Sequence, residues 1–181
     1  LKVLAGELGV ADRVAFLPFQ ADTAGVYRAL ALYAQSDDAL GEGRAYAGLG
    51  HLYRQQNRLE EAAQAFGRAL DLATQTGDQE TLWHVYWGLG VCQQAAGRLD
   101  EAVASLESSL RLIDARHQDL RTDEGKVTFI DSVRSVFDQL IALHMQRARN
   151  GAAGAYAAAL QVAERARGRA LSDLLGDQPR Y

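Results

Sequence analysis

Apolar residues recur at helical spacing along most of the chain, and one pattern appears twice. "YAGLGHLYRQQNRLEEAAQAF" at 46–66 is followed forty residues later by "YWGLGVCQQAAGRLDEAVASL" at 86–106. In each copy Leu-Gly follows an aromatic residue by three and four positions, so large and small side chains share one helical face and a neighbouring helix can approach closely. "RLEEA" or "RLDEA" then begins a second helix, whose alanine and bulky apolar residue lie one turn apart. Each copy therefore predicts a pair of antiparallel helices.

The helical pattern extends to both sides of the two copies. "YRALALYAQSDD" at 27–38 lies forty residues before "GRALDLATQTGD" at 67–78. We predict the second helix of a partial repeat at 21–38, and full units at 39–78 and 79–118. Prolines stand only at Pro18 and Pro179, and strand-like alternation is limited to "RVAFLPF" at 13–19. The predicted fold class is therefore all-α.

After Ile113 the forty-residue register ends, but helical spacing continues. A long helix is predicted from the apolar positions Ile130, Val133, Phe137, Leu140, Ile141 and His144. "NGAAGA" at 150–155 predicts a turn. A last helix carries an apolar stripe predicted to face inward, made of Tyr156, Leu160, Ala163, Ala166, Ala170, Leu171 and Leu174. Residues 119–176 would thus form a long exit hairpin that caps the array, followed by a tail at 177–181.

The first full copy resembles the tetratricopeptide repeat. The pattern aromatic-x-x-Leu-Gly-x-x-Tyr followed by Ala-x-x-x-Phe is met by Tyr46, Leu49, Gly50, Tyr53, Ala62 and Phe66. The second copy has Gln93 and Leu106 where Tyr53 and Phe66 stand, and the period of forty is similar to the longer-repeat branch. The resemblance implies a right-handed superhelical array of helix hairpins, whose first helices line a concave face suited to an extended peptide or a partner helix.

Candidate partner-binding residues are those on the first helices that point away from the Tyr-Leu-Gly packing face. They are Arg44, His51, Arg54, Gln55, His84, Trp87, Val91 and Gln94. Trp87 is the sharpest candidate because a large aromatic side chain can anchor an interface, although packing in the core beside Trp83 and Tyr86 is an equal alternative. Gly48 and Gly88 stand where longer-repeat relatives often carry Asn, so the carboxylate clamp of some tetratricopeptide modules is not expected.

No catalytic residue, metal site or cofactor is predicted. His51 and His84 fall on neighbouring first helices, but no third ligand has suitable spacing, so structural or peptide-contacting histidines are favoured over zinc. Cys92 is the only cysteine and has no local histidine or basic cluster, which favours a buried packing thiol. The chain is accordingly predicted not to be an enzyme.

The last sixty residues carry a second resemblance. "DLRTDEGKVTFIDSVRSVFDQLIAL" and the later "AERARGRALSDLL" at 163–175 are similar to the exit helices that precede a CHAT domain, a caspase-like protease module, in bacterial tetratricopeptide proteins. The resemblance implies that this chain is a sensing or docking arm, with the protease residues beyond Tyr181. The absence of an initiator Met also suggests a fragment of a longer protein.

Residues 1–20 leave two interpretations open. "LGVADRVAFLPF" at 8–19 resembles a segment of the nucleotide-sugar-binding half of GT-B glycosyltransferases, with Pro18 in place of the usual glycine, and no site residue is carried over from it. The alternative is a degenerate first helix of the partial repeat.

The charge pattern argues against nucleic acid and membrane partners. The 19 basic and 23 acidic residues give a net charge of -4 and are spread along the chain. A basic concentration is found at Arg147, Arg149, Arg165, Arg167 and Arg169, which is either a solvated helix face or a docking patch for an acidic partner or a downstream domain. No apolar run of membrane-spanning length and no secretory leader is visible, so a cytoplasmic location is expected.

These patterns predict a non-catalytic protein-protein interaction module. The CHAT resemblance favours the partner-sensing or regulatory arm of a larger bacterial protein, whose protein or peptide partner is a separate chain or a downstream domain of the same polypeptide. Two alternatives stay open: an array that recruits substrate for a glycosyltransferase or another enzyme, and a self-associating scaffold.

Overall fold

The computed structural model describes the backbone of residues 23–117 and 123–176, and the side chains of residues 25–115 and 133–170. Seven helices and no strand lie within the described backbone. They are α1 (Thr23–Gln35), α2 (Ala39–Gln55), α3 (Leu59–Thr76), α4 (Gln79–Ala95), α5 (Leu99–His117), α6 (Asp123–Arg149) and α7 (Ala155–Gly176). The all-α prediction is confirmed. The strand-like stretch at 13–19 and the alternatives for residues 1–20 lie outside the described residues.

Consecutive helices pack in adjacent pairs along the array. The pairs α2 with α3, α4 with α5, and α6 with α7 form hairpins, while α3 contacts α4 and α5 contacts α6. The first helices of the two repeats, α2 and α4, also contact each other. This arrangement is a tetratricopeptide-like helical solenoid, as the forty-residue register predicts. In the described backbone no helix is both long and apolar enough to cross a membrane.

The same turn closes each of the first four helices. One residue per junction has a positive φ: Asp37, Asn57, Gly77 and Gly97. The residue that follows donates its backbone N–H to a carbonyl five residues earlier, at 2.9 to 3.1 Å. Asp38 and Asp78 then cap α2 and α4, accepting hydrogen bonds from the backbone N–H of Gly41 and Thr81. Glycine, Asn and Asp tolerate the left-handed conformation, so these residues allow the chain to turn at the end of each helix.

The first core cluster is built around Phe66. This side chain is fully buried between the two first helices, and a Cβ added to Gly50 or Gly88 would lie 2.6 or 2.3 Å from its ring. Leu106 plays the corresponding role in the next repeat, where a Cβ on Gly90 would lie 2.8 Å from it. The expectation that a glycine after leucine serves close packing is confirmed at Gly50 and Gly90, and Gly88 packs closely as well.

The exit hairpin packs through a different face of α7 than the sequence pattern predicts. In α6, Val133, Phe137, Leu140 and His144 are buried as expected. In α7 the buried residues are Ala155, Ala159 and Val162, whereas Tyr156 and Leu160 are 61% and 62% exposed. Ala170 is exposed too, so the predicted inward stripe was wrong at three of its described positions. Small residues at the contact let α7 lie close to α6, which turns the larger neighbours outward. The side chains of Ile130, Leu171 and Leu174 lie outside the described residues.

Candidate functional site

An open groove of about 910 Å³ lies between α2 and α4. Arg44 of α2 donates its Nε–H to the Asp78 carboxylate at 2.8 Å, and Asp78 also accepts from the Thr81 hydroxyl at 2.7 Å. The carboxylate that caps α4 thus also ties the two first helices together. The groove is lined by Arg44, Ala47, Gly48, His51, Leu52, Arg54, Gln55, Glu80, Thr81, His84 and Trp87.

Six of the eight predicted partner-binding residues line this groove: Arg44, His51, Arg54, Gln55, His84 and Trp87. The structure brings them together, and their role in binding stays a prediction. Sequence reasoning did not include Ala47, Leu52, Glu80 and Thr81, which also line the groove. A helical-wheel projection of α2 alone would have included Ala47, which lies one turn before His51.

Aromatic rings form the floor of the groove. The His51 ring meets Phe66 edge-on with 5.0 Å between centroids, and it lies 6.0 Å from the Trp87 ring. The centroid of His84 is 6.2 Å from that of His51, and the other side of His84 is stacked on Trp83 at 3.5 Å. The floor is therefore continuous with the Phe66 core, which makes it a preformed surface.

His51 is neutral at physiological pH. Burial lowers its pKa from 6.5 to about 4, and the nearby charges of Arg54 and His84 act in the same direction. Among the residues whose side chains are described, no group of three or more His, Cys, Asp or Glu is placed to hold a metal ion. His51 therefore serves the groove as uncharged aromatic surface with hydrogen-bonding nitrogens.

The two arginines of the groove differ in their partners. Hydrogen bonds from Arg44 and Thr81 lower the pKa of Asp78 even though its burial opposes this, so the Arg44 ion pair is firmly held. Arg54 instead lies over the Trp87 ring, 5.3 Å from its centroid. No carboxylate pairs with Arg54 within the described part of the chain. Trp87 Nε1 is buried and has no hydrogen-bond partner there.

Val91 and Gln94, also predicted for the partner face, do not line the groove. Gln94 donates to Gln146 at 2.9 Å and accepts from Gln139 at 2.6 Å, both on α6. The exit hairpin therefore packs on the C-terminal half of α4. The sequence offered no reason to pair these amides, because the forty-residue register stops before α6.

Gly48 and Gly88, the positions where longer-repeat relatives often carry Asn, have different surroundings. A Cβ on Gly48 would meet nothing within 4 Å, and Gly48 lines the groove. A Cβ on Gly88 would lie 2.3 Å from Phe66. In the forty-residue register, Val26 holds the position that Phe66 holds in the next repeat. The repeat with the smaller valine is also the one that precedes the open position at Gly48.

The basic concentration of the exit hairpin mainly binds acids of α5. Arg165 reaches Glu107 at 3.2 Å and Asp114 at 3.5 Å, and Arg169 also contacts Asp114. Arg147 pairs with Asp100 at 2.6 Å. These three arginines hold α6 and α7 to the second repeat.

The two remaining arginines of the patch interact only within their own helices in the described region. Arg167 pairs with Glu164 at 3.2 Å, and Arg149 donates to the Met145 carbonyl at 3.3 Å. The docking role of the patch stays a prediction, and fewer of its arginines are unpaired than the sequence suggests.

Cys92 is a buried free thiol whose burial raises its pKa, which confirms the packing interpretation.

Comparison with known families agrees with the fold. The sequence model of the Tetratricopeptide repeat family matches residues 45–80, which cover most of α2, all of α3 and the start of α4. A comparison with curated proteins gave no match. The family match and the stacked hairpins together support a tetratricopeptide repeat protein. Repeats of this type generally mediate binding of protein partners, and they are typically non-catalytic.

Proposed function

We propose that the chain is a protein-protein interaction module that holds a peptide segment of its partner in the groove between α2 and α4. The observation that carries the proposal is the preformed groove itself, with an aromatic floor and an open position at Gly48. Tetratricopeptide repeats use the corresponding face of their first helices for extended or helical ligands.

The dimensions of the groove suit a short segment. Helices α2 and α4 have 17 residues each, and a helix of that length is about 25 Å long. An extended peptide of about seven residues covers the same distance.

We also propose that the module is the regulatory arm of a larger bacterial CHAT-type protein. The resemblance at 163–175 falls within α7, which continues unbroken to Gly176. Ion pairs from Arg165 and Arg169 connect α7 to α5, and Gln94 connects α4 to α6. A partner that shifts α4 would therefore act on the exit hairpin, which is where a downstream domain would be attached.

A leucine at position 48 tests the groove without disturbing the core. Gly48→Leu projects into the groove, and the matched control Gly67→Leu places the same side chain in open space on α3, outside the groove. We expect bacterial lysate proteins retained by wild type and Gly67→Leu to be lost with Gly48→Leu, as measured by pull-down and mass spectrometry. Equal recovery by all three folded proteins would contradict the proposal.

Self-association through α7 is a second candidate function. Tyr156 and Leu160 leave an apolar face exposed on this helix. A concentration-dependent mass in analytical ultracentrifugation that reverts to the monomer in Leu160→Glu would favour it. A constant monomer mass for wild type would exclude it.

A further inference from the structure

One end of the groove presents a guanidinium that no carboxylate of the described residues pairs with. Arg54 lies over the Trp87 ring, and no carboxylate of the described residues pairs with it. Stacking on a ring uses none of the five guanidinium N–H groups, which fit a carboxylate in bidentate geometry.

The opposite end of the groove has its charges arranged differently. There Arg44 is paired with Asp78, and Glu80 lies in the first turn of α4. His51, between the two ends, is uncharged at neutral pH because its pKa is lowered to about 4. The unpaired positive charge of the groove is therefore concentrated at Arg54.

The space for an apolar side chain lies next to this charge. Gly48 lines the groove with nothing within 4 Å of an added Cβ, and the aromatic floor is beside it. Six positions separate Gly48 from Arg54, which corresponds to about 9 Å along a helix axis. Two to three residues of an extended peptide span that distance.

We propose that the groove recognises a peptide segment with an internal Asp or Glu two to three residues from a bulky apolar side chain. The side-chain carboxylate accepts hydrogen bonds from Arg54, and the apolar side chain occupies the space above Gly48. This inference rests on the proposed function and specifies the chemistry of its ligand. The acid is a side chain within the segment, so a free C-terminus is not needed.

The probe is a random dodecapeptide library fused through its C-terminus to a phage coat protein, so that no library peptide has a free terminal carboxylate. Selection on wild type, with Gly48→Leu as counter-selection, should enrich Asp or Glu two to three positions from Leu, Ile or Phe. Amidated synthetic copies should bind at least tenfold more weakly to Arg54→Gln. Replacing the peptide's Asp or Glu by the amide should cost a similar factor, with little further loss when both changes are combined.

Three results test this inference, and the first two distinguish its failure from that of the proposed function. Groove-dependent peptides that lack an acid and bind equally to wild type and Arg54→Gln would overturn the acidic motif and leave the proposed function in place. Library peptides whose binding is never blocked by Gly48→Leu would overturn both. Partial recovery of affinity in Arg54→Lys, which keeps the charge but loses the planar fork, would support the guanidinium-carboxylate contact; recovery is assessed on variants with unchanged thermal unfolding.

Discussion

Gly48 and Gly88 occupy the same register position in adjacent repeats, yet one faces an open groove and the other faces a packed core. In the forty-residue register Val26 occupies the position that Phe66 occupies one repeat later, and the Phe66 ring lies where a Cβ on Gly88 would be. A repeated backbone thus gives two surfaces of opposite character. At Gly88 an aromatic ring fills the space that stays open beside Gly48.

The two first helices also differ in what covers them. The C-terminal half of α4 carries Gln94, which is hydrogen-bonded to α6, whereas the corresponding half of α2 carries Arg54, which lines the groove. The interface between α2 and α4 therefore stays open as the groove, whereas the C-terminal half of α4 is hydrogen-bonded to the exit hairpin. The groove and the anchoring of the exit hairpin are separated by one repeat.

The largest effect on stability should come from adding a side chain at Gly88, the glycine that faces the core. We expect Gly88→Ala to destabilise the fold by about 2 to 3 kcal/mol, because the new methyl group would overlap the Phe66 ring. Urea denaturation followed by circular dichroism measures this. Combining Gly88→Ala with Phe66→Leu, the residue type found at Leu106, should recover part of the loss. A loss that is not reduced in the double variant would refute the assigned contact.

The pH dependence of stability should report on the groove floor. The pKa of His51 is about 4 in the folded protein and about 6.5 when unfolded, so between these values only the unfolded chain takes up the proton. This histidine should therefore cost no stability above pH 6.5 and an increasing amount as the pH falls to about 4. The loss should reach about 2 to 3 kcal/mol.

Comparison with His51→Gln isolates this contribution, because the carboxylates and His144 titrate in both proteins. The difference in free energy of unfolding between the two proteins should change between pH 6.5 and 4 and stay constant above pH 7. A difference independent of pH would show that His51 is solvated.

The hydrophobic periodicity was sufficient to predict the hairpins, because Tyr46, Leu49, Gly50 and Phe66 form contacts within one repeat or between neighbours. Arg54 and Trp87, which it named as candidates for the partner face, both line the groove, and their role in binding stays a prediction. It could not predict which face of α7 is buried, since alanine and leucine are both apolar and only the distance to α6 decides between them. Contacts outside the register, such as Gln94 with Gln146, carry no sequence signal.

A smaller effect should distinguish the arginines of the exit hairpin. Arg169 has a side chain only 14% exposed and contacts Asp114 on α5, whereas the side chain of Arg167 is 69% exposed and pairs with Glu164 on its own helix. We expect Arg169→Gln to destabilise the protein by about 1 kcal/mol and Arg167→Gln by less than about 0.5 kcal/mol. Hydrogen exchange of α7 amides should increase in the first variant alone. Equal exchange in both would mean that the ion pair with α5 does not hold the helix.

The smallest expected change in stability is at Gly48. An alanine there should stabilise the protein, whereas an alanine at Gly88 should destabilise it. Gly48→Ala adds a methyl group in open space inside a helix, so it should stabilise the protein by about 0.5 to 1 kcal/mol through helix propensity alone. The same denaturation assay measures this, with Gly67→Ala as the control in α3, where a Cβ likewise meets nothing within 4 Å. Similar gains at both positions would identify Gly48 as a residue whose absent side chain serves the groove and not the fold. A loss at Gly48 alone would show that the space above it is already occupied, which would remove the basis for a ligand there.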